Sequence, residues 1–296
     1  MNNNYGPVLI VPSLQDLSTP LEDFLTRMNF YGYWVNKTSS SRNSGLNIYL
    51  GVQEHPKIKS SYSKIDFKFI SVKKFRFHLY SQNVFNDIST RNLNPTMIIA
   101  GDPFFGLLIA FSLRKKLRRQ IPIQVSFHGE ITKTGFGTSI KGRLQNFFIQ
   151  RSIPRVESVR LVSTDQIHYA KKLFGVTDRQ IVIAPVPLTS QMKKVARPKK
   201  DVVGFVGRIH PQRGIDTWVE TMRNLSMKAE ALIVGDGPLK SKFLKELSQV
   251  SKISVKTTGY ISQSELEKTW SKISVLLSTA PFESYGMAMR EAVLHG

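Results

Sequence analysis

Short apolar runs alternate with amphipathic, helix-like stretches along the second half of the chain. The predicted strands of this half are residues 202–206, 229–234, 253–257 and 273–278. Each run leads into a loop and then a stretch with helical spacing of apolar positions, and Ser262 with Glu265 forms a capping-box pattern at one helix start. Regular alternation of strand and helix with short links predicts a parallel sheet with helices on both faces.

The apolar pattern of the first half is less regular. Its predicted strands are residues 8–11, 97–100, 123–127, 159–163 and 180–184, and its predicted helices are residues 19–28, 104–117 and 165–174. Residues 36–80 are polar and rich in β-forming residues, and their pattern does not favour one arrangement of elements. The first half is therefore expected to be α/β as well, with one ambiguous region.

A polar, proline-containing segment at residues 191–200 separates the two halves and predicts an interdomain linker. We expect an N-terminal domain of residues 1–190 and a C-terminal domain of residues 191–296, each with a doubly wound, Rossmann-like α/β fold. Two such domains would form a cleft at the carboxyl ends of both sheets, where ligands bind in open α/β folds.

Composition bounds the class of protein. The chain has 296 residues, of which 41% are hydrophobic, so two domains can each bury a core. The absence of cysteine excludes disulfides, thiolate metal sites and a cysteine nucleophile. The amino terminus lacks a signal-peptide pattern, and the most apolar stretch, residues 97–113, is too short to span a bilayer. We therefore expect a cytoplasmic protein.

The net charge of +21 is the strongest compositional signal. It predicts attraction to polyanions such as nucleic acid, anionic lipid or a phosphorylated substrate, and charge alone does not choose among them. Basic residues cluster at 114–119 and at 141–151, where cations mix with Phe147 and Phe148. The second cluster is either an interfacial patch for an anionic membrane or a solvated helix end beside a core aromatic pair.

Two carboxylates, Glu283 and Glu291, lie eight residues apart around a turn of small residues. A predicted strand leads into Glu283, and a predicted helix runs from Gly286 to His295. Eight residues along a helix correspond to roughly 80° around its axis, so both carboxylates could face one cleft. The backbone N–H groups of residues 284–287 would lie at the helix N-terminus, where an anion is favoured.

A second loop, residues 207–214, follows the predicted strand 202–206 and reads Gly-Arg-Ile-His-Pro-Gln-Arg-Gly. Its glycines allow close approach of the backbone to a ligand, and the guanidiniums of Arg208 and Arg213 suit a diphosphate. In the first half, His128 follows the predicted strand 123–127. A histidine at such a strand end is either a structural residue or part of a ligand site.

These segments resemble family-4 retaining glycosyltransferases of the GT-B fold. The resemblance rests on residues 282–292, Phe-Glu-Ser-Tyr-Gly-Met-x3-Glu-Ala, on the loop 207–214, and on His128 with the residue after it. It implies that Arg208 and Arg213 bind the donor diphosphate and that Glu291 binds ribose hydroxyls. The other residues it places at the donor are Gly207, Gly235, Gly259, Tyr260, Glu283, Ser284, Tyr285, Gly286 and Met287, with His128 lining the opposite wall.

The chain departs from the family pattern at four places, one of which is residues 184–187, Ala-Pro-Val-Pro, where the family usually has an Asn-Gly-Val-Asp turn. Arg213 stands where the family usually has lysine, and residues 12–18 contain no glycine where the family often has a glycine-rich loop. The sequence ends at Gly296, whereas the family continues with further strands and a closing helix. The resemblance therefore implies a GT-B fold whose C-terminal domain is incomplete.

The implied function is metal-independent hexosyl transfer, with retention, from a UDP-, GDP- or ADP-sugar to a lipid-linked or glycan acceptor. No Asp-x-Asp metal motif is present, and no cofactor besides the donor is expected. A cytoplasmic enzyme, peripheral on the inner face of a membrane, would suit the basic patch. The alternatives are a glycosyltransferase acting on nucleic acid and a non-catalytic polyanion-binding protein on a GT-B scaffold.

Overall fold

A computed structural model gives two compact units, residues 1–189 and 190–296. It describes residues 4–12, 21–38, 45–53, 56–57, 61–71, 77–128, 131, 137, 139–188, 201–281, 283 and 285–296. The predicted linker at residues 191–200 and most of the loop at residues 12–18 lie outside the described residues. No helix in the part of the chain that is described is long and apolar enough to cross a membrane.

Unit 1, residues 1–189, is built on a seven-stranded parallel sheet in the order β3-β2-β1-β4-β5-β6-β7. Its strands are β1 Asn4–Val11, β2 Leu46–Val52, β3 Ile65–Ser71, β4 Leu93–Ala100, β5 Ile123–Phe127, β6 Ser158–Leu161 and β7 Ile181–Ile183. Its helices are α1 Leu21–Thr38, α2 Phe77–Thr90, α3 Phe105–Leu117, α4 Ile140–Ser152 and α5 Gln166–Phe174.

The two faces of this sheet carry separate cores. Val8 and Ile10 of β1 pack into a core with residues of α2, α3, α4 and α5, whereas Leu9 and Val11 pack on the other face with Leu25 of α1. This split follows from the alternation of side chains along a strand. Residues 8–11 of β1 are buried on both faces, and they accordingly form a continuous apolar run.

The structure assigns elements to the described part of the ambiguous region 36–80. The predicted helix 19–28 extends to Thr38, and β2 and β3 follow it. Every residue of β2 is buried, including Asn47, so this strand has no polar face to produce the alternation that would have marked it. A helix that the pattern did not predict, α4, occupies the basic segment 141–151.

Unit 2, residues 190–296, has a four-stranded parallel sheet in the order β10-β9-β8-β11. Its strands are β8 Val202–Val206, β9 Ala229–Val234, β10 Ile253–Gly259 and β11 Val275–Leu276. Its helices are α6 Ile215–Arg223, α7 Lys240–Ser248, α8 Gln263–Trp270 and α9 Met287–His295. The strand predicted at residues 273–278 is thus only two residues long, and the residues after it form a loop.

Aromatic packing holds the sheet of unit 2 to its helices. Trp218 of α6 and Phe243 of α7 are fully buried and meet edge to face, with ring centroids 5.4 Å apart. Phe205 of β8 contacts both rings. The indole N–H of Trp218 donates to the carbonyl of Leu277 at 3.1 Å, which ties α6 to the segment that follows β11.

Candidate functional site

In the sheet of unit 2, the connection after β8 leads to one side of that strand and the connection that ends in β11 leads to the other side. The position between β8 and β11 is therefore a topological switch point. The chain moves from β8 outward to β9 and β10, and then returns to place β11 on the other side of β8. In open α/β sheets, ligands bind outside the carboxyl ends of the strands at such a switch point. The two loops that begin there follow β8 and β11, and both were predicted from the sequence to hold site residues.

The loop after β8 is fixed to the loop after β11. It contains a short 3-10 turn, Pro211–Arg213, that ends at Gly214 with a left-handed φ of +62°. A side chain at Gly214 would clash with the carbonyl of Thr279, so only glycine fits against that backbone. The Thr279 hydroxyl donates to the carbonyl oxygens of Gly214 and Arg213, at 2.9 and 3.1 Å.

Arg213 and Glu283 meet between these loops. The Arg213 guanidinium donates to Oε2 of Glu283 in an ion pair, with 37% and 22% of the two side chains exposed. They line a small depression that is open to solvent. Its other lining residues include Val206, Leu276 and Gly286, which come from β8, β11 and the start of α9. A basic and an acidic group thus share one hollow at the switch point.

The Arg208 side chain is exposed, and in the described part of the chain its guanidinium has no hydrogen-bond or ion-pair partner. Glu291 is 7% exposed, and one of its carboxylate oxygens accepts a bond of 3.3 Å from Nε2 of Gln263. Glu291 therefore faces α8. Neither Arg208 nor Glu291 lines the depression that Arg213 and Glu283 share.

The start of α9 holds the remaining predicted residues of this loop. Met287 is the first residue of the helix and follows Gly286, while Ser284 lies outside the described residues. The guanidinium of Arg290 lies 4.1 Å from the ring centroid of Tyr285 and its Nε–H donates to the Tyr285 carbonyl at 2.9 Å. These two contacts hold the turn that precedes α9 against the first turns of the helix.

The turns after β9 and β10 contact each other at the same edge of the sheet. Gly235 lies against the carbonyl of Gly207, and its N–H donates to the carbonyl of Gly259 at 2.8 Å. Tyr260 is 58% exposed. The structure thus brings Gly207, Gly235 and Gly259 together through their backbones, next to the loop that carries Arg208.

His128 belongs to unit 1 and comes one residue after β5. Its side chain keeps access to solvent. Desolvation by the surrounding protein, followed by the charges of Arg160 and Arg27, lowers the pKa of His128 to about 4. The imidazole is therefore neutral near pH 7 and can donate one hydrogen bond.

Sequence reasoning did not identify Thr279 or Arg290. Thr279 acts through carbonyl oxygens of a loop more than 60 residues earlier, and Arg290 packs on a ring from the preceding turn. Neither contact has a spacing signal, although Thr279 lies just before the predicted motif and Arg290 lies within it. Among the described residues, no group of three His, Asp or Glu side chains could hold a metal ion.

Comparison with known proteins agrees with this architecture. Residues 200–296 match the family described as glycosyl transferases group 1. A GDP-mannose-dependent alpha-mannosyltransferase of Corynebacterium glutamicum is 32% identical over 99 residues, which are 33% of this chain and 22% of that protein. The chain thus aligns with about a fifth of that relative's length.

Solved structures resemble the whole chain. The galactosyltransferase WaaB of the lipopolysaccharide outer core matches with a TM-score of 0.70 at 16% identity, over 98% of this chain and 78% of that chain. Anabaena HepE, solved with UDP and glucose, matches with a TM-score of 0.66 at 13% identity and the same coverages. The fold is GT-B. Another glycosyltransferase, WaaG, matches with a TM-score of 0.60 at 12% identity, over 97% of this chain and 78% of that chain.

Proposed function

We propose that this GT-B chain transfers a hexose, with retention of configuration, from a nucleoside-diphosphate sugar bound at the switch point of unit 2. The contact between Arg213 and Glu283 carries the proposal, because two loops bring opposite charges to one depression. The match to group 1 glycosyl transferases supports it. The names of the relatives add that one depends on GDP-mannose and that another was solved with UDP-glucose.

The ion pair suggests how the donor would be held. In the structure Glu283 neutralises Arg213. A diphosphate carries more charge than one carboxylate and would compete with Glu283 for the guanidinium, while the exposed Arg208 supplies a second cation. Glu283 would then be free to accept hydrogen bonds from sugar hydroxyls.

The departing diphosphate develops negative charge in the transition state. Fixed guanidiniums and the N–H groups at the start of α9 can stabilise that charge in place, without a metal ion. Glu291 would bind ribose hydroxyls, and Gly259 and Tyr260 would contact the base. We assign no protein nucleophile to the retaining reaction.

A thermal-shift screen with UDP-, GDP- and ADP-sugars tests the proposal, with GDP-mannose as the first ligand. A donor present at 100 times its dissociation constant adds about 2.7 kcal/mol of apparent stability. The donor that stabilises the protein should then be consumed in the presence of an acceptor. If none of the three donor classes shifts the unfolding transition, the proposed function is wrong.

For the acceptor, α4 supplies a surface feature of unit 1. Ile140, Leu144 and Phe147 follow one another at helical spacing and are 81%, 64% and 57% exposed. Lys141 and Arg143 are exposed on the same helix, and the guanidinium of Arg151 lies 5.3 Å from the Phe147 ring centroid. An apolar stripe bordered by cations suits an anionic membrane surface. We infer that the acceptor is lipid-linked and that the enzyme is peripheral on the cytoplasmic face.

Vesicle co-sedimentation tests this surface. Leu144→Ser and Phe147→Ser should each reduce binding to vesicles containing phosphatidylglycerol, whereas Val293→Ser, which removes an even more exposed apolar side chain from unit 2, should not. Binding should weaken as salt is raised. Salt-sensitive binding to duplex DNA, with no binding to vesicles, would instead favour a nucleic-acid acceptor.

A further inference from the structure

The face of the unit 1 sheet that carries α1 is polar along β5 and β6. Ser126 of β5 and Arg160 of β6 are partners in the register of these strands. Their neighbours Val125, Val159 and Leu161 pack into the core on the other face. Because side chains alternate along a strand, Ser126 and Arg160 project together on the side of α1.

Neutral oxygen atoms hold the Arg160 guanidinium in place. Its Nε–H donates to the carbonyl of Ala184 at 3.0 Å, and Nη2 donates to the Tyr31 hydroxyl at 2.6 Å and to the carbonyl of Pro185 at 3.4 Å. The guanidinium carbon also lies 5.3 Å from the Tyr31 ring centroid. Within the described residues no carboxylate pairs with this guanidinium.

The second terminal nitrogen of Arg160, Nη1, has no hydrogen-bond acceptor among the described residues. An arginine carries five N–H groups, two of them on Nη1. The side chain is thus positioned by three bonds and keeps two donors and its whole charge for another partner. A fixed guanidinium of this kind loses little conformational entropy when it binds an anion.

Two further groups lie near this guanidinium. Arg27 lies four residues before Tyr31 in α1, one helical turn away on the same face, and Tyr31 contacts Arg160. His128 follows β5 two residues after Ser126, the register partner of Arg160, and the charges of both arginines act on its imidazole. Ser126, buried and two residues before His128, has a hydroxyl without a hydrogen-bond partner in the part of the chain described. The neighbourhood therefore combines two cations, a neutral imidazole donor and a hydroxyl.

We propose that Arg160, Arg27 and His128 form an anion site on unit 1 that takes a phosphate group of the acceptor. The assignment to the acceptor rests on the proposed function, whereas the anion site itself does not. A phosphate oxygen can accept from the Nη1 donors of Arg160, and the charge of Arg27 adds to the attraction. The neutral imidazole of His128 can donate one hydrogen bond to the same phosphate.

The test is a calorimetric titration of the whole chain with inorganic phosphate and with glycerol 3-phosphate at constant ionic strength. Arg160→Gln and Arg27→Gln should each weaken binding about tenfold or more. The matched control, Lys172→Gln, removes one exposed cation from α5, which packs on the other face of the sheet, and should bind as the wild type does. Arg27→Gln leaves the bonds from Arg160 to Ala184 and Pro185 in place, so it tests the site even if Arg160→Gln is unstable.

The outcomes separate this inference from the proposed function. Wild-type phosphate affinity in both arginine variants, or an equal loss in Lys172→Gln, would overturn the anion site. Phosphate binding that depends on Arg160 and Arg27, in a chain that binds no nucleotide sugar, would keep the site and remove its role with the acceptor. Tighter binding of glycerol 3-phosphate than of inorganic phosphate indicates a soluble phosphomonoester, and competition by phosphatidylglycerol vesicles indicates a lipid headgroup.

Discussion

The backbone of Gly214 shows how a single residue determines the geometry of the candidate site. Its left-handed φ of +62° and its contact with the Thr279 carbonyl both exclude a side chain. Gly259 has a similar φ of +68°, but a side chain there would meet only the flexible end of Lys240, at 3.6 Å, and the Asp236 carboxylate, at 3.9 Å. A side chain at either glycine would be strained by the left-handed backbone, but only a side chain at Gly214 would also clash with fixed backbone atoms. Comparing the two positions therefore distinguishes backbone strain from a steric clash.

Gly214→Ala should destabilise unit 2 more than Gly259→Ala does. The left-handed conformation costs about 1–2 kcal/mol for a residue with a side chain, and only Gly214→Ala adds a clash with fixed backbone. Denaturant unfolding of the two variants measures the difference. Equal destabilisation would mean that the loop after β11 moves away readily, and that the two site loops are not held together as described.

His128 gives a prediction for pH. Its pKa is about 4 in the folded protein, against an ordinary value of about 6.5 in the unfolded chain. Between these values the unfolded chain binds more protons, so the contribution of neutral His128 to stability is present above pH 6.5 and is lost as the pH falls toward 4.

The free energy of unfolding of the wild type, measured relative to His128→Gln, should therefore fall as the pH is lowered from 6.5 to 4. Glutamine keeps a neutral, polar side chain at every pH, which makes it the reference. A difference between the two proteins that stays constant over this range would contradict the lowered pKa of His128.

At the scale of elements, the start of α8 follows the prediction from sequence. Ser262 accepts a bond from the N–H of Glu265, and the Glu265 carboxylate accepts bonds from the Ser262 hydroxyl and N–H, which lower the pKa of Glu265. Ser262→Ala should destabilise the protein by about 1 kcal/mol. The control Ser241→Ala, at an exposed position in α7, should change the stability by less than about 0.5 kcal/mol in thermal or denaturant unfolding. Equal changes in stability for Ser262→Ala and Ser241→Ala would show that the capping box does not stabilise the protein.

Strands and helices whose sequence shows a clear hydrophobic periodicity or a helix-capping pattern could be predicted from the sequence. Elements that show neither signal could not. The strands β8 to β10 and the start of α8 carry those local signals. By contrast β2 is buried throughout and contains Asn47, so its pattern does not alternate. The helix α4 carries an apolar stripe that faces solvent, so the segment lacked the clear core-facing pattern that predicts a helix.

The same distinction applies to the candidate site. The loops that hold Arg208, Arg213 and Glu283 were predicted because they follow recognisable strands. The pairing of Arg213 with Glu283, and the direction of Glu291 toward Gln263, depend on how α6, α8 and α9 pack around the sheet. Residue spacing restricts such contacts but does not determine them.

At the scale of the whole molecule, excess positive charge is the dominant property. The chain has 42 basic residues and 21 acidic residues, so even complete pairing would leave 21 cations without an acidic partner. This excess accords with anionic ligands on both units, a diphosphate on unit 2 and a phosphate on unit 1. Association with either ligand should therefore slow and weaken as ionic strength rises.

Calorimetric titration of the stabilising nucleotide sugar into the wild type, Arg213→Ala and the matched variant Arg223→Ala tests the central claim most directly. Arg213 lies in the depression with Glu283, whereas Arg223 ends α6 and is exposed. A charged hydrogen bond contributes about 1.5–3 kcal/mol, so Arg213→Ala should bind at least about tenfold more weakly while Arg223→Ala retains the wild-type affinity. Unchanged affinity in Arg213→Ala, or an equal loss in Arg223→Ala, would contradict a donor site at the switch point of unit 2.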